Sequence, residues 1–212
     1  MMQRRKAENR LYPVVEKYIK NRFGCIATAI NRGTKYGRID VIGIRDTSGD
    51  LSSAHELIGV EVKAGNQPFG NAAGQAFGYS IYSHRCYLAD KRKGNNPYTT
   101  EEIDIASSLG IGLLAVSGSK INEILAAPLC NPIEKFQLEI INKLGYGKCT
   151  LCNALFNIIK MVSKSSLINA AKKEKGSKYF LLNSPRFISD TRSTGSPSRY
   201  LCADCVMNLT NK

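Results

Sequence analysis

Histidine is nearly absent from this chain of 212 residues: there are two, His55 and His84, and neither lies beyond residue 84. The C-terminal part therefore has no imidazole with which to build a histidine-based metal chemistry. No apolar run approaches the ~20 residues that span a bilayer, and 43% hydrophobic residues is the content of a soluble globular chain. The start carries Arg4, Arg5 and Lys6 with no apolar stretch after them, unlike a secretory leader. The expected location is the cytoplasm, where thiols stay reduced, and no membrane partner is expected. There is no internal repeat other than a doubled Cys-x-x-Cys. Acidic residues are also short in supply, 17 against 30 basic ones, for a formal charge of +13.

That excess is uneven. Residues 141–212 hold 12 Lys and Arg against 3 Asp and Glu, a balance of +9, while residues 1–140 hold 18 against 14, a balance of +4. Lys172, Lys173, Lys175, Lys178, Arg186, Arg192 and Arg199 all fall in the basic C-terminal part. Such a patch fits a polyanion, with phosphate contacts setting affinity and salt dependence. A solvated loop is the competing reading, and residues 190–199, rich in Ser, Thr, Gly and Pro, have the composition of one. Tyr179, Phe180, Phe187 and Tyr200 interleave with the charges; packing a small core is their expected role, ahead of stacking on bases. Lys91-Arg92-Lys93-Gly94-Asn95-Asn96 forms a second basic tip, which fits either a phosphate contact or solvent.

The chemistry lies in two segments, Arg38-Ile39-Asp40-Val41-Ile42-Gly43 and Gly59-Val60-Glu61-Val62-Lys63. Both read as β-strands from their aliphatic and β-branched residues. Asp46-Thr47-Ser48-Gly49-Asp50 between them has the composition of a turn. Alternation puts Glu61 and Lys63 on one face and Val60 and Val62 on the other. If the strands pair antiparallel, Asp40 meets Glu61 and Lys63. Two carboxylates and a lysine converging there suit a hard divalent cation and a polarised water. An ion pair on a solvated sheet face is the plain alternative. The apolar flanks weigh against it, because charges inside apolar strands are costly unless paired or metal-bound.

These residues resemble the PD-(D/E)xK nuclease superfamily, which includes many restriction endonucleases and Holliday-junction resolvases. Ile39-Asp40 stands for the Pro-Asp, and Glu61-Val62-Lys63 is the (D/E)xK element. The resemblance implies that Asp40 and Glu61 bind catalytic Mg²⁺, helped by the Val62 carbonyl, and that Lys63 orients or activates the attacking water. It also implies a helix ahead of the hairpin with a Glu reaching the site. Residues 3–21 have a helical pattern, with Leu11, Val14, Val15, Tyr18 and Ile19 on one face. Glu8 is preferred over Glu16 for that role, although Pro13 places the start of the regular helix near itself. After the strand that carries Glu61 and Lys63, residues 70–83 read as a helix. By the resemblance, Gln75 on it would contact the scissile phosphate or the metal-bound water; a helix residue facing solvent is the other reading.

Further along, residues 85–89 read as a strand, 99–109 as a helix capped by Thr99 or Thr100 with Glu101 and Glu102 in its first turn, and 112–116 as a buried strand. The expected fold is α/β, a restriction-endonuclease-like mixed sheet flanked by helices. The resemblance covers roughly residues 3–128.

Cys149-Thr150-Leu151-Cys152 and Cys202-Ala203-Asp204-Cys205, 49 residues apart, form two knuckles. Four thiolates so spaced match a structural Zn²⁺ site. Disulfide or redox chemistry competes, but a thioredoxin-type site needs one Cys-x-x-Cys at a βα junction rather than a pair. Residues 153–164 have helical periodicity. Cys25, Cys86 and Cys130 read as ordinary semi-buried residues, and His84 as structural, with a place near the DNA path as its other reading. The lack of histidine here argues against a second nuclease of the ββα-metal kind.

The expected organisation is thus a nuclease core over 1–128 and a basic four-cysteine zinc module over 129–212. The expected function is a Mg²⁺-dependent DNA endonuclease, restriction-like in subtype, acting on duplex DNA and favouring a homodimer that cuts both strands. A junction-resolving or repair nuclease, an RNA nuclease, and a nucleic-acid-binding protein with little or no catalysis are the alternatives.

Overall fold

The computed structural model describes residues 7–47, 55–65, 67–94, 97–157, 179–181, 200–202 and 205. They divide into two units. The first takes the described residues up to Asp46 and Glu56–Ile133; the second takes those of Thr47–His55 and those from Glu134 onward.

The first unit is built on a six-stranded mixed sheet. Strands β1 (Ala27–Thr34), β2 (Gly37–Asp46), β3 (His55–Lys63), β4 (Arg85–Lys91), β5 (Gly112–Ser117) and β6 (Lys120–Leu125) lie side by side in sequence order. β1 and β2 pair antiparallel, as do β5 and β6, while β3–β4 and β4–β5 pair parallel. Parallel neighbours need crossovers. Helix α2 (Phe69–Gly78) supplies one between β3 and β4, and α3 (Thr100–Leu109) the other, between β4 and β5.

Helix α1 (Tyr12–Arg22) precedes the sheet and buries Tyr12, Val15 and Ile19. These pack on Val41, Val60, Val62, Tyr87, Leu114 and Val116 from four successive strands. Each fully buried aliphatic of this kind contributes about 1.5–3 kcal/mol, so register is strongly fixed: a slip of one residue on β3 would bury Glu61 and Lys63 under α1. The opposite face of β3 meets Tyr79 and Ser83 at Gly59. A Cβ there would lie 2.7 Å from Ser83 Oγ and 3.3 Å from Tyr79 Cβ, so glycine lets Ser83 and Tyr79 pack closely on the strand.

The strands and helices foreseen in the core are present, with altered ends. The regular part of α1 starts at Tyr12 behind Pro13, not at residue 3; residues 7–9 form a separate helical turn, and 3–6 lie outside the described residues. The helix foreseen over 70–83 stops at Gly78 and tightens into a 3₁₀ turn, Tyr79–Ile81, closed by the Tyr82 N–H on the Tyr79 carbonyl. α3 begins as foreseen: Thr99 is its cap, in a capping box with Glu102. Strands β1 and β6 were not foreseen.

In the second unit, α4 (Glu134–Lys143) buries Gln137, Ile140 and Ile141. β7 (Tyr146–Lys148) and β8 (Leu155–Asn157) form an antiparallel hairpin, and β9 (Tyr179–Leu181) pairs antiparallel with β10 (Tyr200–Cys202). β8 corrects the helix foreseen over 153–164. The Cys149 N–H donates to Ala154 O and the Asn153 N–H to Cys149 O, and Asn153 takes φ 61°. This tight turn commits Leu155–Asn157 to strand pairing against the local helical period. The remainder of that segment, 158–164, lies outside the described residues. The basic residues Lys172, Lys173, Lys175, Lys178, Arg186, Arg192 and Arg199 lie outside them as well.

Candidate active site and cysteine cluster

Asp40 on β2 and Glu61 on β3 line the same cleft, together with Gln75 of α2 and Tyr79. Asp40 is held on both oxygens: its Oδ2 accepts the Val62 N–H at 2.9 Å and its Oδ1 the Tyr12 hydroxyl at 3.2 Å. Glu61 is only 5% exposed, as is Lys63. The Lys63 amine donates to Glu61 Oε1 and forms an ion pair with it, and the Tyr79 hydroxyl donates to Glu61 Oε2. The same hydroxyl accepts the Asp40 N–H at 3.3 Å and lies 3.0 Å from Arg38 O. It has one proton for two acceptors, and the carboxylate is the stronger. Tyr79 thereby bridges the two acidic residues.

Electrostatics follow from that crowding. Burial, then the Glu61 charge, push the Asp40 carboxyl up to about 7, against the pull of the Val62 N–H, Lys63 and Tyr12. Burial, then the neighbouring carboxylates, raise both tyrosines: Glu61 before Asp40 for Tyr79, Asp40 before Glu8 and Glu61 for Tyr12. Both phenols therefore stay protonated and act as donors. Two neighbouring carboxylates in a partly buried site, the charge of Glu61 helping to raise Asp40, form an oxygen-rich set that suits Mg²⁺, whose charge would relieve their repulsion.

Of the two helix carboxylates weighed, Glu8 is buried and its charge reaches the Tyr12 hydroxyl, whereas Glu16 is half-buried. Gln75 is exposed on the cleft wall. Val62 reaches Asp40 through its N–H. Behind Lys63 the chain turns at Gly65, whose N–H donates to Asp90 Oδ1 at 2.8 Å. Gly65 has φ 83°, and a Cβ on it would sit 2.7 Å from Lys91 O. Both facts require glycine.

Sequence reasoning missed Tyr12 and Tyr79 as members of this cluster. Their only signal was position: Tyr12 begins the helix ahead of the hairpin, and Tyr79 lies one turn beyond Gln75. In the basic tip after β4, Arg92 pairs with Asp90 at 2.9 Å and Glu102 at 2.9 Å and lies over the Tyr98 ring, while Lys91 and Lys93 are exposed. Asn95 and Asn96 lie outside the described residues. His84 is structural, as foreseen. Its Nδ1 accepts the Leu57 N–H at 2.9 Å, which puts the ring proton on Nε2.

In the second unit the Cys149, Cys152 and Cys205 sulfurs all lie within 4.8 Å of one another. Thiolates around a tetrahedral Zn²⁺ with ~2.3 Å bonds sit roughly 3.8 Å apart, so the three suit such an ion. A parallel bridge between Cys149 and Tyr200, with the Thr150 N–H on Tyr200 O at 2.9 Å, lays β10 against the first knuckle. The Cys202 backbone ends β10; its side chain is outside those described. Tyr200 is buried and meets Phe156 edge-on at 5.9 Å, the packing role expected of it.

No protein-family model and no curated protein matches the chain. It is similar to the solved structure of a protein of unknown function from Silicibacter pomeroyi, with 17% identity, over 67% of this chain and 82% of that one, at a TM-score of 0.43. That degree of likeness assigns neither a fold family nor an activity. Among the described residues no helix is long and apolar enough to cross a membrane.

Proposed function

We propose that the chain is a Mg²⁺-dependent DNA endonuclease of the PD-(D/E)xK kind, with a restriction-endonuclease-like first unit and a zinc-bound second unit that holds duplex DNA. The observation that supports it most is that Asp40 and Glu61 line one open cleft, with the Lys63 amine paired to Glu61. Asp40 and Glu61 would hold the cation. Once bound, Mg²⁺ supplies charge stabilisation to the phosphate as negative charge builds on its oxygens. Tyr12 and the Val62 N–H fix the Asp40 carboxylate, and Tyr79 fixes Glu61. Lys63 then turns from Glu61 towards the water and orients it for in-line attack on phosphorus. As the water oxygen bonds to phosphorus its proton passes to solvent; the P–O bond to the leaving oxygen breaks, and that oxygen takes up a proton from solvent. Cys149, Cys152, Cys202 and Cys205 would hold Zn²⁺. Cutting both strands would take two copies, one site each.

One observation favours a second reading. Both Glu61 oxygens are already engaged, by Lys63 and Tyr79, as in a scaffold that binds nucleic acid without cutting it. Incubation of unmethylated plasmid and phage DNA with Mg²⁺ or with EDTA separates the two. The nuclease reading expects Mg²⁺-dependent fragments that vanish in Lys63→Ala and in Lys63→Gln, the latter keeping a donor to Glu61. Salt-sensitive binding without cleavage, unchanged by either substitution, would favour the binder.

A further inference from the structure

The cleft beside the carboxylates has a volume of ≈ 330 Å³, and its walls include Tyr36, Tyr79, Tyr82, Ile39, Ile81 and Gln75. Its lip is the turn between β1 and β2, closed by the Thr34 hydroxyl on Gly37 O at 2.9 Å. The Tyr36 N–H donates to the Tyr82 hydroxyl at 3.3 Å, which fastens the lip to the wall. The Tyr36 side chain is nonetheless 61% exposed, and the Lys35 amine lies 5.4 Å from its ring centroid. Exposed Arg38 lines the same rim.

A large aromatic face on a fixed backbone, cations at the rim and an amide on the wall match a flat heterocycle joined to a phosphate. The volume is at the small end for a ligand pocket and suits one base with its sugar, not a stretch of duplex. A base inside a paired duplex offers no free face, because its neighbours stack on both sides. We propose that this cleft receives one nucleobase unstacked from the bound strand, so that the preferred substrate is DNA with an unpaired or extruded nucleotide next to the phosphate at Asp40 and Glu61. The position of the phosphate rests on the nuclease reading; the recognition of an unpaired base does not.

The test is fluorescence anisotropy with short labelled oligonucleotides in Ca²⁺ in place of Mg²⁺: single-stranded, fully paired, and paired but for one bulged nucleotide. Wild-type protein is expected to bind the single-stranded and bulged forms roughly tenfold tighter than the paired one. Tyr36→Ala is expected to abolish that preference and Tyr36→Phe to keep it, with thermal unfolding unchanged in both because the side chain is exposed. Equal affinity for all three forms, or a preference that survives Tyr36→Ala, would overturn the proposal. If the preference and its loss are seen but no DNA is cut in Mg²⁺, the cleft assignment stands and the nuclease reading fails.

Discussion

In the first unit, Asp40, Glu61 and Lys63 stand on strands whose reverse side is Val41, Val60 and Val62, all fully buried under α1. In the second, the thiols of Cys149 and Cys152 stand on the turn between β7 and β8, strands of three residues each, and that of Cys205 lies beyond β10, with Phe156 and Tyr200 as an aromatic pair. The first arrangement is held by apolar burial, and it keeps two carboxylates close at an electrostatic cost. Among the described residues of the second, the two-stranded hairpin is small, and on the zinc reading a bound ion would supply much of its order. On that reading, one unit is a site built by a fold, and the other would be a fold built by a site.

Removal of metal should expose this contrast most strongly. Structural Zn²⁺ in such knuckles is worth on the order of 10 kcal/mol. A strong chelator, or Cys149→Ser, is expected to release zinc and abolish amide-exchange protection over β7 and β8 while protection over β3 and β4 persists. Loss of protection in both units would break the comparison.

Substitution of Lys63 comes next. Lys63→Ala is expected to lower turnover by about 10²–10⁴-fold and, by leaving Glu61 buried without its cation, to cost up to about 3–5 kcal/mol of stability. Lys63→Gln should lose turnover with a smaller stability cost, as read by steady-state rates beside denaturant unfolding.

Asp40→Asn should move stability the other way. The Asp40 carboxyl is raised from 3.8 to about 7 in the metal-free fold. The cost of its charge is therefore absent below 3.8, accumulates as pH rises to about 7, and is complete above it. The variant should be more stable than wild type by about 1–2 kcal/mol above pH 7 in EDTA, and the gain should fade as pH falls towards 4. Denaturant unfolding across that range reads it directly. The smallest effect belongs to Tyr79→Phe, which removes the hydroxyl shared by Glu61 and Asp40. It should cost about 1 kcal/mol and reduce turnover less than tenfold.

The two units also differed in how far the sequence could be read. Asp40, Glu61 and Lys63 were legible because each interrupts an apolar alternation whose period fixes its face. Tyr12 and Tyr79 were not, because their reach to the carboxylates depends on how α1 and the 3₁₀ turn dock on the sheet, which no local pattern encodes. β1 and β6 escaped because they are edge strands: Arg32, Gly33, Lys120 and Asn122 are tolerated where one side faces water, and they blur the alternation. β8 was misread because the knuckle turn, not the 3.6-residue period of Leu155 and Ile158, decides its backbone.

The most direct test of the sheet site is titration of zinc-loaded protein with Mn²⁺, followed by calorimetry and by the electron-spin signal of the ion. The account predicts saturable binding at the carboxylates that is lost in Asp40→Asn and in Glu61→Gln, with circular dichroism and zinc content unchanged. Binding that survives both substitutions, or no binding by folded wild-type protein, would contradict it.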